Sequence, residues 1–258
     1  MRAGNGPVEI EWHYHGSGAP VLLIHGLGYG RWGWAPLEAR LADRFGVISF
    51  DNRGIGASST PPGPYTAAEM AADAVAVLDA AKLDRANVIG TSLGGMVAQE
   101  LVIGWPERVD RLVLMSTTPG ATHGLPMPAE TVRLMAQSTT MEPAEALRRF
   151  VINALGNDAS PELVDEIVAL RVANPPDPIG WAAQAAAAVA FDAGDRLGSV
   201  THPTLTITGT EDRVVDPANT RRLAELIHGA QSASVPGGHL MFWEHPDAVT
   251  DRIIEFLI

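Results

Sequence analysis

The residues whose types and spacing most clearly suit catalysis form the segment Gly90-Thr91-Ser92-Leu93-Gly94, a G-x-S-x-G sequence. The residues before it are typical of a buried strand, and those after it are typical of a helix. A serine on so sharp a turn is held in strained backbone geometry, and the flanking glycines let strand and helix approach each other. The Ser92 hydroxyl is therefore expected to be exposed as a nucleophile. Leu93 begins the helix, where its backbone N–H lacks an intrahelical partner and can bind a developing oxyanion.

Two loops downstream supply the partners that such a serine needs. A serine hydroxyl is a weak nucleophile without a base, and the base needs an acid to orient it. His239 lies in a Gly-rich loop after the predicted strand that ends at Val235, and Asp212 follows the predicted strand around Ile207. Functional residues of parallel sheets gather at the carboxyl ends of strands, where Ser92 also lies. The sequence therefore predicts a triad of Ser92, Asp212 and His239.

Other acidic residues near these loops have other expected roles. Glu211 and Asp216 flank the predicted acid, but Asp216 precedes Pro217 and is more typical of a helix N-cap. Asp51 and Arg53 are expected to form a salt bridge that braces their loop.

The histidines and glycines do not predict a metal or a dinucleotide cofactor. His25 is expected to hold its Gly-rich loop by hydrogen bonds. That loop, His25 to Gly30, follows a strand, but its third glycine is displaced, and the nearest acidic residue about twenty positions on, Asp51, belongs to the Asp51 to Ser58 loop. No cofactor is therefore expected. Five further histidines show no metal-ligand spacing: His13, His15, His123, His202 and His228.

The elements that must position these residues alternate between strand and helix. Short apolar runs bounded by turn residues, such as Val21 to Ile24, predict strands covered on both faces by helices. Between 117 and 199 no strand is evident, and helical signals predominate instead. The sequence therefore predicts an α/β core, 1–116 and 200–258, with a mostly parallel sheet and an inserted helical cap, 117–199.

Composition limits the classes of partner and the cellular location. The chain has 258 residues, with 18 Lys and Arg against 30 Asp and Glu, a formal net charge of −12. Such an acidic balance argues against nucleic acid and anionic membranes as partners. The chain has no Cys, and neither a signal peptide nor a membrane span is evident. We expect a cytoplasmic protein with a small-molecule substrate; a homo-oligomer is left open.

Five motifs in this order resemble those of the α/β-hydrolases of the esterase and lactonase group, over nearly the whole chain. They are His25 to Gly28, Asp51 to Ser58, Gly90 to Gly95, Gly209 to Asp212, and Gly238-His239. Within that group, the chain resembles 3-oxoadipate enol-lactonases and related carboxylesterases. The resemblance implies an eight-stranded, mostly parallel sheet with helices on both faces and a four-helix cap. It also implies that the backbone N–H of Leu27 is the second oxyanion donor.

The function that we expect is cofactor-free hydrolysis of a small carboxylic ester or lactone through an acyl-enzyme. Four side chains are candidates to line the substrate pocket, although residues of these types at helical spacing are more often simple core. They are Trp32, Met96, Met135 and Trp181. Perhydrolases share the triad but tend to have proline where Gly28 stands. Carbon–carbon bond hydrolases and a ligand-binding receptor with little turnover remain alternatives.

Overall fold

The computed structural model describes all 258 residues, which form one eight-stranded sheet with helices on both faces. The strands are β1 (Arg2–Asn5), β2 (Val8–Gly16), β3 (Pro20–Ile24), β4 (Gly46–Phe50), β5 (Ala86–Thr91), β6 (Val109–Met115), β7 (Thr204–Gly209) and β8 (Gln231–Val235). Their order across the sheet is β1-β2-β4-β3-β5-β6-β7-β8. β1 pairs with β2, and β2 pairs with β4, in antiparallel orientation, whereas all the other neighbouring strands are parallel. The predicted eight-stranded, mostly parallel α/β sheet is confirmed.

The parallel strands are buried on both faces, as their continuous apolar runs predict. In β3, Val21 and Leu23 pack into one apolar cluster, whereas Leu22 and Ile24 pack into the cluster on the opposite face. This alternation follows from the two-residue period of a strand. The sheet is thus the middle layer of a three-layer structure.

Helices outside the cap cover both faces of this sheet. They are α1 (Ala35–Ala42), α2 (Ala67–Ala80), α3 (Leu93–Gly104), α8 (Ala218–Leu226), α9 (Met241–Glu244) and α10 (Pro246–Leu257). Residues of α2 and α3 pack in one cluster, and residues of α1 and α10 pack in the other. A capping box of Thr66 and Glu69 begins α2, because each residue's side chain accepts a hydrogen bond from the backbone of the other.

The chain between β6 and β7 contains four α-helices. They are α4 (Ala129–Ser138), α5 (Pro143–Ala154), α6 (Pro161–Ala173) and α7 (Pro178–Ala190). Ser160 caps α6 through the N–H of Leu163, and Asp177 caps α7 through the N–H groups of Ile179 and Gly180. The sequence pattern alone predicts that α7 begins at Trp181, but the helix begins at Pro178, directly after its N-cap residue Asp177.

Some short elements differ from the sequence prediction. β1 was not predicted, because its residues carry no apolar alternation and the strand exists through pairing with Val8–Glu11. The helix predicted around Trp34 begins as a 3₁₀ turn, Arg31–Trp34, before α1. No helix combines the length and the apolar content that crossing a lipid bilayer requires.

Candidate active site

Ser92 occupies the turn between β5 and α3 in a backbone conformation that non-glycine residues rarely adopt. Its φ is 55° and its ψ is −123°. A Cβ on Gly90 would lie 2.3 Å from the carbonyl oxygen of Gly94, and one on Gly94 would lie 1.9 Å from the carbonyl oxygen of Ile24. The two glycines are therefore required by the close approach of α3 to the strands. The N–H of Ser92 donates to the carbonyl of Met115 at 2.9 Å, and this hydrogen bond fixes the turn to the end of β6.

Asp212 and His239 meet at the same edge of the sheet. Asp212 follows β7 and His239 follows β8, and their side chains are 0% and 10% exposed. His239 Nδ1 lies 2.8 Å from Asp212 Oδ2. The other carboxylate oxygen, Oδ1, accepts from the backbone N–H groups of Val214 and Val215 at 2.8 and 2.9 Å. Because these contacts fix the carboxylate, it can hold the imidazole with a proton on Nδ1 and leave Nε2 free to accept one.

The structure joins Asp212 to His239 directly, but the Ser92 hydroxyl makes no hydrogen bond to either residue. In unliganded active sites such bonds are often long and shorten only when substrate binds. β5, which carries Ser92, is separated from β7 by β6 alone. The three predicted residues therefore follow strands at one edge of the sheet.

The two neighbouring acids are engaged elsewhere. Glu211 Oε2 accepts from the backbone N–H of Asn157 at 2.9 Å. Asp216 Oδ1 accepts from the N–H of Ala218 at 2.9 Å, at the start of α8. Asp212 is thus the one acid of this loop that contacts the imidazole of His239.

The backbone N–H groups without an acceptor near Ser92 include those of Leu93, the first residue of α3, and of Leu27, in the loop after β3. The Leu27 loop lies against the serine, since a Cβ on Gly26 would lie 2.9 Å from Ser92 Cβ and 3.5 Å from its Oγ. Free donors on both sides of a serine hydroxyl have the arrangement that binds an oxyanion.

His25 is buried beneath this loop. Its Nδ1 accepts from the N–H of Gly26 at 2.7 Å, as predicted, and its ring stacks on Tyr29 with centroids 4.9 Å apart. Its Nε2 is buried beside Gly33 with no hydrogen-bond partner. Burial lowers the pKa of His25 from 6.5 to about 3, and the charge of Arg171 acts in the same direction. His25 is therefore neutral at pH 7. It supports the loop through its hydrogen bond to Gly26 and through the stacking of its uncharged ring on Tyr29.

The expected salt bridge between Asp51 and Arg53 is wrong. Arg53 instead pairs with Asp73 of α2, with Nε–Oδ2 and Nη2–Oδ1 distances of 2.6 and 2.8 Å. Asp51 accepts from the backbone N–H groups of Arg31 and Ala57 at 2.8 and 3.0 Å. Both side chains brace the loop, but each does so through a separate partner.

The four predicted pocket residues lie in different surroundings. Trp181 of α7 covers the loop after β3, because a Cβ on Gly28 would lie 2.8 Å from its Cδ1. Met96 lies one turn after Ser92 and is 8% exposed. Trp32 packs on the ring of Tyr29 with centroids 5.1 Å apart. The fourth residue, Met135 of α4, is 46% exposed.

Two cap residues that contact the site were missed by the sequence reasoning. Gln184 Oε1 accepts from the N–H of Gly28 at 3.1 Å, and Arg171 Nη1 donates to the carbonyl of Gly28 at 2.5 Å. Gln184 is the one polar residue between Trp181 and Ala190, a signal that the sequence carried. Arg171 had no such signal. No cluster of three or more His, Asp or Glu side chains is arranged to hold a metal ion.

Comparison with known proteins agrees with this fold. A family model described as alpha/beta hydrolase fold matches residues 19–246. A relative in Azorhizobium caulinodans with the provisional name carbamate hydrolase RutD is 31% identical, over 98% of this chain and 97% of its own. The 2-hydroxy-6-oxononadienedioate/2-hydroxy-6-oxononatrienedioate hydrolase of Paraburkholderia xenovorans is also 31% identical, over 100% of this chain and 93% of its own.

Solved structures include a similar molecule of closely matching length. The crystal structure of the enol-lactonase from Burkholderia xenovorans superposes with a TM-score of 0.87 at 28% identity, over 100% of this chain and 99% of that one. The chain therefore belongs to the α/β-hydrolase fold family, and the resemblance predicted from its motifs is confirmed. Its fold and its relatives indicate a hydrolase.

Proposed function

We propose that this protein is a serine hydrolase that cleaves a small carboxylic ester or lactone through Ser92, His239 and Asp212. The observation that carries the proposal is the 2.8 Å contact between His239 Nδ1 and Asp212 Oδ2, at the sheet edge that holds the strained Ser92 turn. The free N–H groups of Leu27 and Leu93 support it. Nucleophile, base, acid and oxyanion donors are the parts that acyl transfer needs.

Each step of the proposed reaction uses protein groups and water. Ser92 Oγ attacks the carbonyl carbon while His239 Nε2 takes its proton, and Asp212 holds the imidazole and stabilises its positive charge. The N–H groups of Leu27 and Leu93 bind the tetrahedral oxyanion. Collapse expels the alcohol, which receives the proton from His239, and leaves an acyl group on Ser92. A water molecule activated by His239 then releases the acid.

The two oxyanion donors account for a large part of the expected rate. Losing one such donor typically costs about 2.7 to 4 kcal/mol of transition-state stabilisation. Both are backbone groups, so they are ordered by folding and need not reorganise during the reaction. Among the candidate pocket residues, the positions of Trp181 and Met96 support a role beside the reacting carbonyl, with the cap selecting the substrate.

Replacing the nucleophile tests this proposal. Ser92→Ala is expected to abolish p-nitrophenyl acetate hydrolysis and labelling by a phosphonate ester, because the variant has no Oγ to attack either reagent. Ser138→Ala, which changes a half-buried serine at the end of α4, is the control and should retain full activity. A Ser92→Ala protein that still turns over and still becomes labelled would contradict the assignment.

The names of the relatives cover different bonds, so the bond type needs its own test. They name hydrolysis of a carbamate, of a dienedioate and of an enol-lactone. A panel with one ester, one lactone, one carbamate and one vinylogous diketone separates these classes by kcat/KM. The proposal predicts the highest values for the ester or the lactone. Saturable binding of these compounds without turnover would favour the ligand-binding receptor.

A further inference from the structure

Gln184 is a buried amide that the cap inserts between two loops of the core. It lies on α7 and is 0% exposed. Its Oε1 accepts from the N–H of Gly28 at 3.1 Å, and its Nε2 donates to the carbonyl of Arg53 at 2.8 Å. Both ends of the amide are therefore satisfied, and only one of its two flip orientations fits the donor and the acceptor.

Gly28 is held from two sides by the cap. Its N–H is bound by Gln184 and its carbonyl is bound by Arg171, at 2.5 Å. Its φ of +72° lies in the region that favours glycine, and Trp181 closes the space where a Cβ would be. Gln184 of α7 thus fixes the peptide unit between Leu27 and Gly28, and Arg171 of α6 fixes the one between Gly28 and Tyr29.

The Nε2 group of Gln184 is bound to a residue, Arg53, that a buried ion pair holds in place. The guanidinium of Arg53, whose carbonyl accepts from Gln184, forms two hydrogen bonds to Asp73 of α2 at 2.6 and 2.8 Å. Both members of this ion pair are buried, at 8% and 1% side-chain exposure. A side chain anchored in this way can hold its other partner in one position.

We propose that Gln184 is a positioning residue for the oxyanion hole, acting through Gly28 on the N–H of Leu27. The inference rests on the proposed function, in which the Leu27 N–H binds the oxyanion. A donor that is aimed before the reaction stabilises charge without reorganising, and it does so chiefly in the transition state. Loss of Gln184 therefore lowers kcat more than it raises KM.

The test compares two nearly isosteric replacements of buried side-chain amides. Gln184→Met removes both hydrogen bonds of the amide. Asn87→Leu removes the bond from a 6% exposed amide to the carbonyl of Pro20, at the start of β5 and away from Ser92. For p-nitrophenyl acetate we expect Gln184→Met to lower kcat about 10- to 100-fold with KM within about threefold of wild type. Asn87→Leu should stay within about threefold of wild type in both constants.

A second variant separates hydrogen bonding from filling of space. Gln184→Glu keeps an acceptor for the Gly28 N–H, but its carboxylate has no donor for the Arg53 carbonyl and places negative charge beside the oxyanion. It is expected to lose at least as much kcat as Gln184→Met. A wild-type kcat in either variant would overturn the inference and leave the proposed function standing. A wild-type protein without ester turnover would overturn both.

Hydrogen exchange tests the same contact in the unmodified protein. The Gly28 N–H should exchange at least about 100-fold more slowly than the N–H of exposed Gly229, because Gln184 binds it in a buried position. This measurement does not depend on whether any variant folds. Equal exchange rates at the two glycines would overturn the inference.

Discussion

Hydrogen bonds to both the backbone N–H and the carbonyl of Ser92 hold this residue in its unusual conformation. Its N–H donates to Met115, and its carbonyl accepts from the N–H groups of Gly95 and Met96 and from Thr117 Oγ1. Strained residues of this kind cost on the order of 1 to 3 kcal/mol and persist only where their surroundings impose them. The strained turn places the Ser92 hydroxyl at the carboxyl end of β5, so the protein gives up stability to present this hydroxyl there.

Relief of that strain is measurable. Ser92→Gly should be more stable than Ser92→Ala by about 1 to 2 kcal/mol, since glycine adopts a φ of 55° without a Cβ clash. Urea unfolding of the two inactive variants gives this difference directly. A Ser92→Ala protein as stable as Ser92→Gly would show that the turn is not strained.

His25 makes the stability of the protein depend on pH. Burial lowers its pKa in the folded state to about 3, from an ordinary 6.5. Between these values the unfolded chain binds a proton that the folded chain excludes, so the free energy of unfolding falls as the pH falls from about 6.5 towards 3. The contribution of this residue is up to about 1.4 kcal/mol per pH unit in that window.

His25→Asn isolates that contribution. The Asn carbonyl can replace Nδ1 as acceptor for Gly26, but it does not titrate. The variant is expected to be less stable at pH 8, because ring contacts with Tyr29 and Trp34 are lost. Its free energy of unfolding should then depend less on pH between 6.5 and 4. Parallel slopes for the two proteins in urea titrations would contradict the assignment of a neutral, buried His25.

At the scale of elements, the junction of β5 and α3 determines where Ser92 and Leu93 lie. Gly94 leaves no room for a side chain against the carbonyl of Ile24 in β3, whereas Gly104 at the end of the same helix faces open space. Gly94→Ala should therefore destabilise the protein by more than about 3 kcal/mol and lower activity, because α3 must move away from β3.

Gly104→Ala is the matched control. With no neighbour within 4 Å, it should be neutral or stabilising by up to about 1 kcal/mol through helix propensity alone. Thermal unfolding and ester turnover of both variants check the pair. Equal stability and equal ester turnover of the two variants would show that the close approach of α3 to β3 is not required.

Local signals in the sequence predicted the elements that carry the site. The Ser92 turn and the strand-end loops of Asp212 and His239 are each encoded within a few residues, so sequence patterns alone located them. β1 was not predicted, because it is defined by its pairing partner rather than by its own composition.

Partners that are distant in sequence could not be predicted in this way. Arg53 pairs with Asp73 twenty residues away instead of with Asp51, because the intervening turn brings α2 over the loop. Gln184 reaches Gly28 across 156 positions of the chain. Such contacts depend on how the cap docks, and no local pattern specifies that docking.

In the whole molecule, hydrogen bonds join the cap to the loops of Asp212 and His239. Arg213 donates to the carbonyl of Ile152 at 3.1 Å, and the N–H of Leu240 donates to the carbonyl of Ala154 at 2.9 Å. In addition, α6 and α7 hold Gly28 in the loop after β3. The cap is therefore coupled to the loops of Asp212 and His239 and also to the loop that carries Leu27.

Glu244 joins the cap to the His239 loop through a single side chain. Its two carboxylate oxygens accept from the N–H groups of Gly156 in the cap and Gly238 beside the base, each at 2.8 Å. Glu244→Ala leaves both donors without an acceptor and should destabilise the protein by about 2 to 4 kcal/mol. It should also lower kcat, since Gly238 precedes His239.

Thermal unfolding and ester kinetics measure both effects. Glu244→Gln, which keeps one acceptor, should fall between wild type and Glu244→Ala. Glu255→Ala on α10, where the side chain is 74% exposed, is the control and should lie within about 0.5 kcal/mol of wild type. A stable, fully active Glu244→Ala protein would show that cap and base loop are independent.

Trapping the acyl-enzyme shows whether Ser92 is the nucleophile of the proposed reaction. Wild-type protein is mixed with p-nitrophenyl acetate, quenched in acid during turnover, digested and mapped by mass spectrometry. We expect one acetyl group per chain, located on Ser92, and none on the Ser92→Ala protein. Turnover with unmodified Ser92, or an acetyl group on another residue that accounts for the turnover, would contradict it.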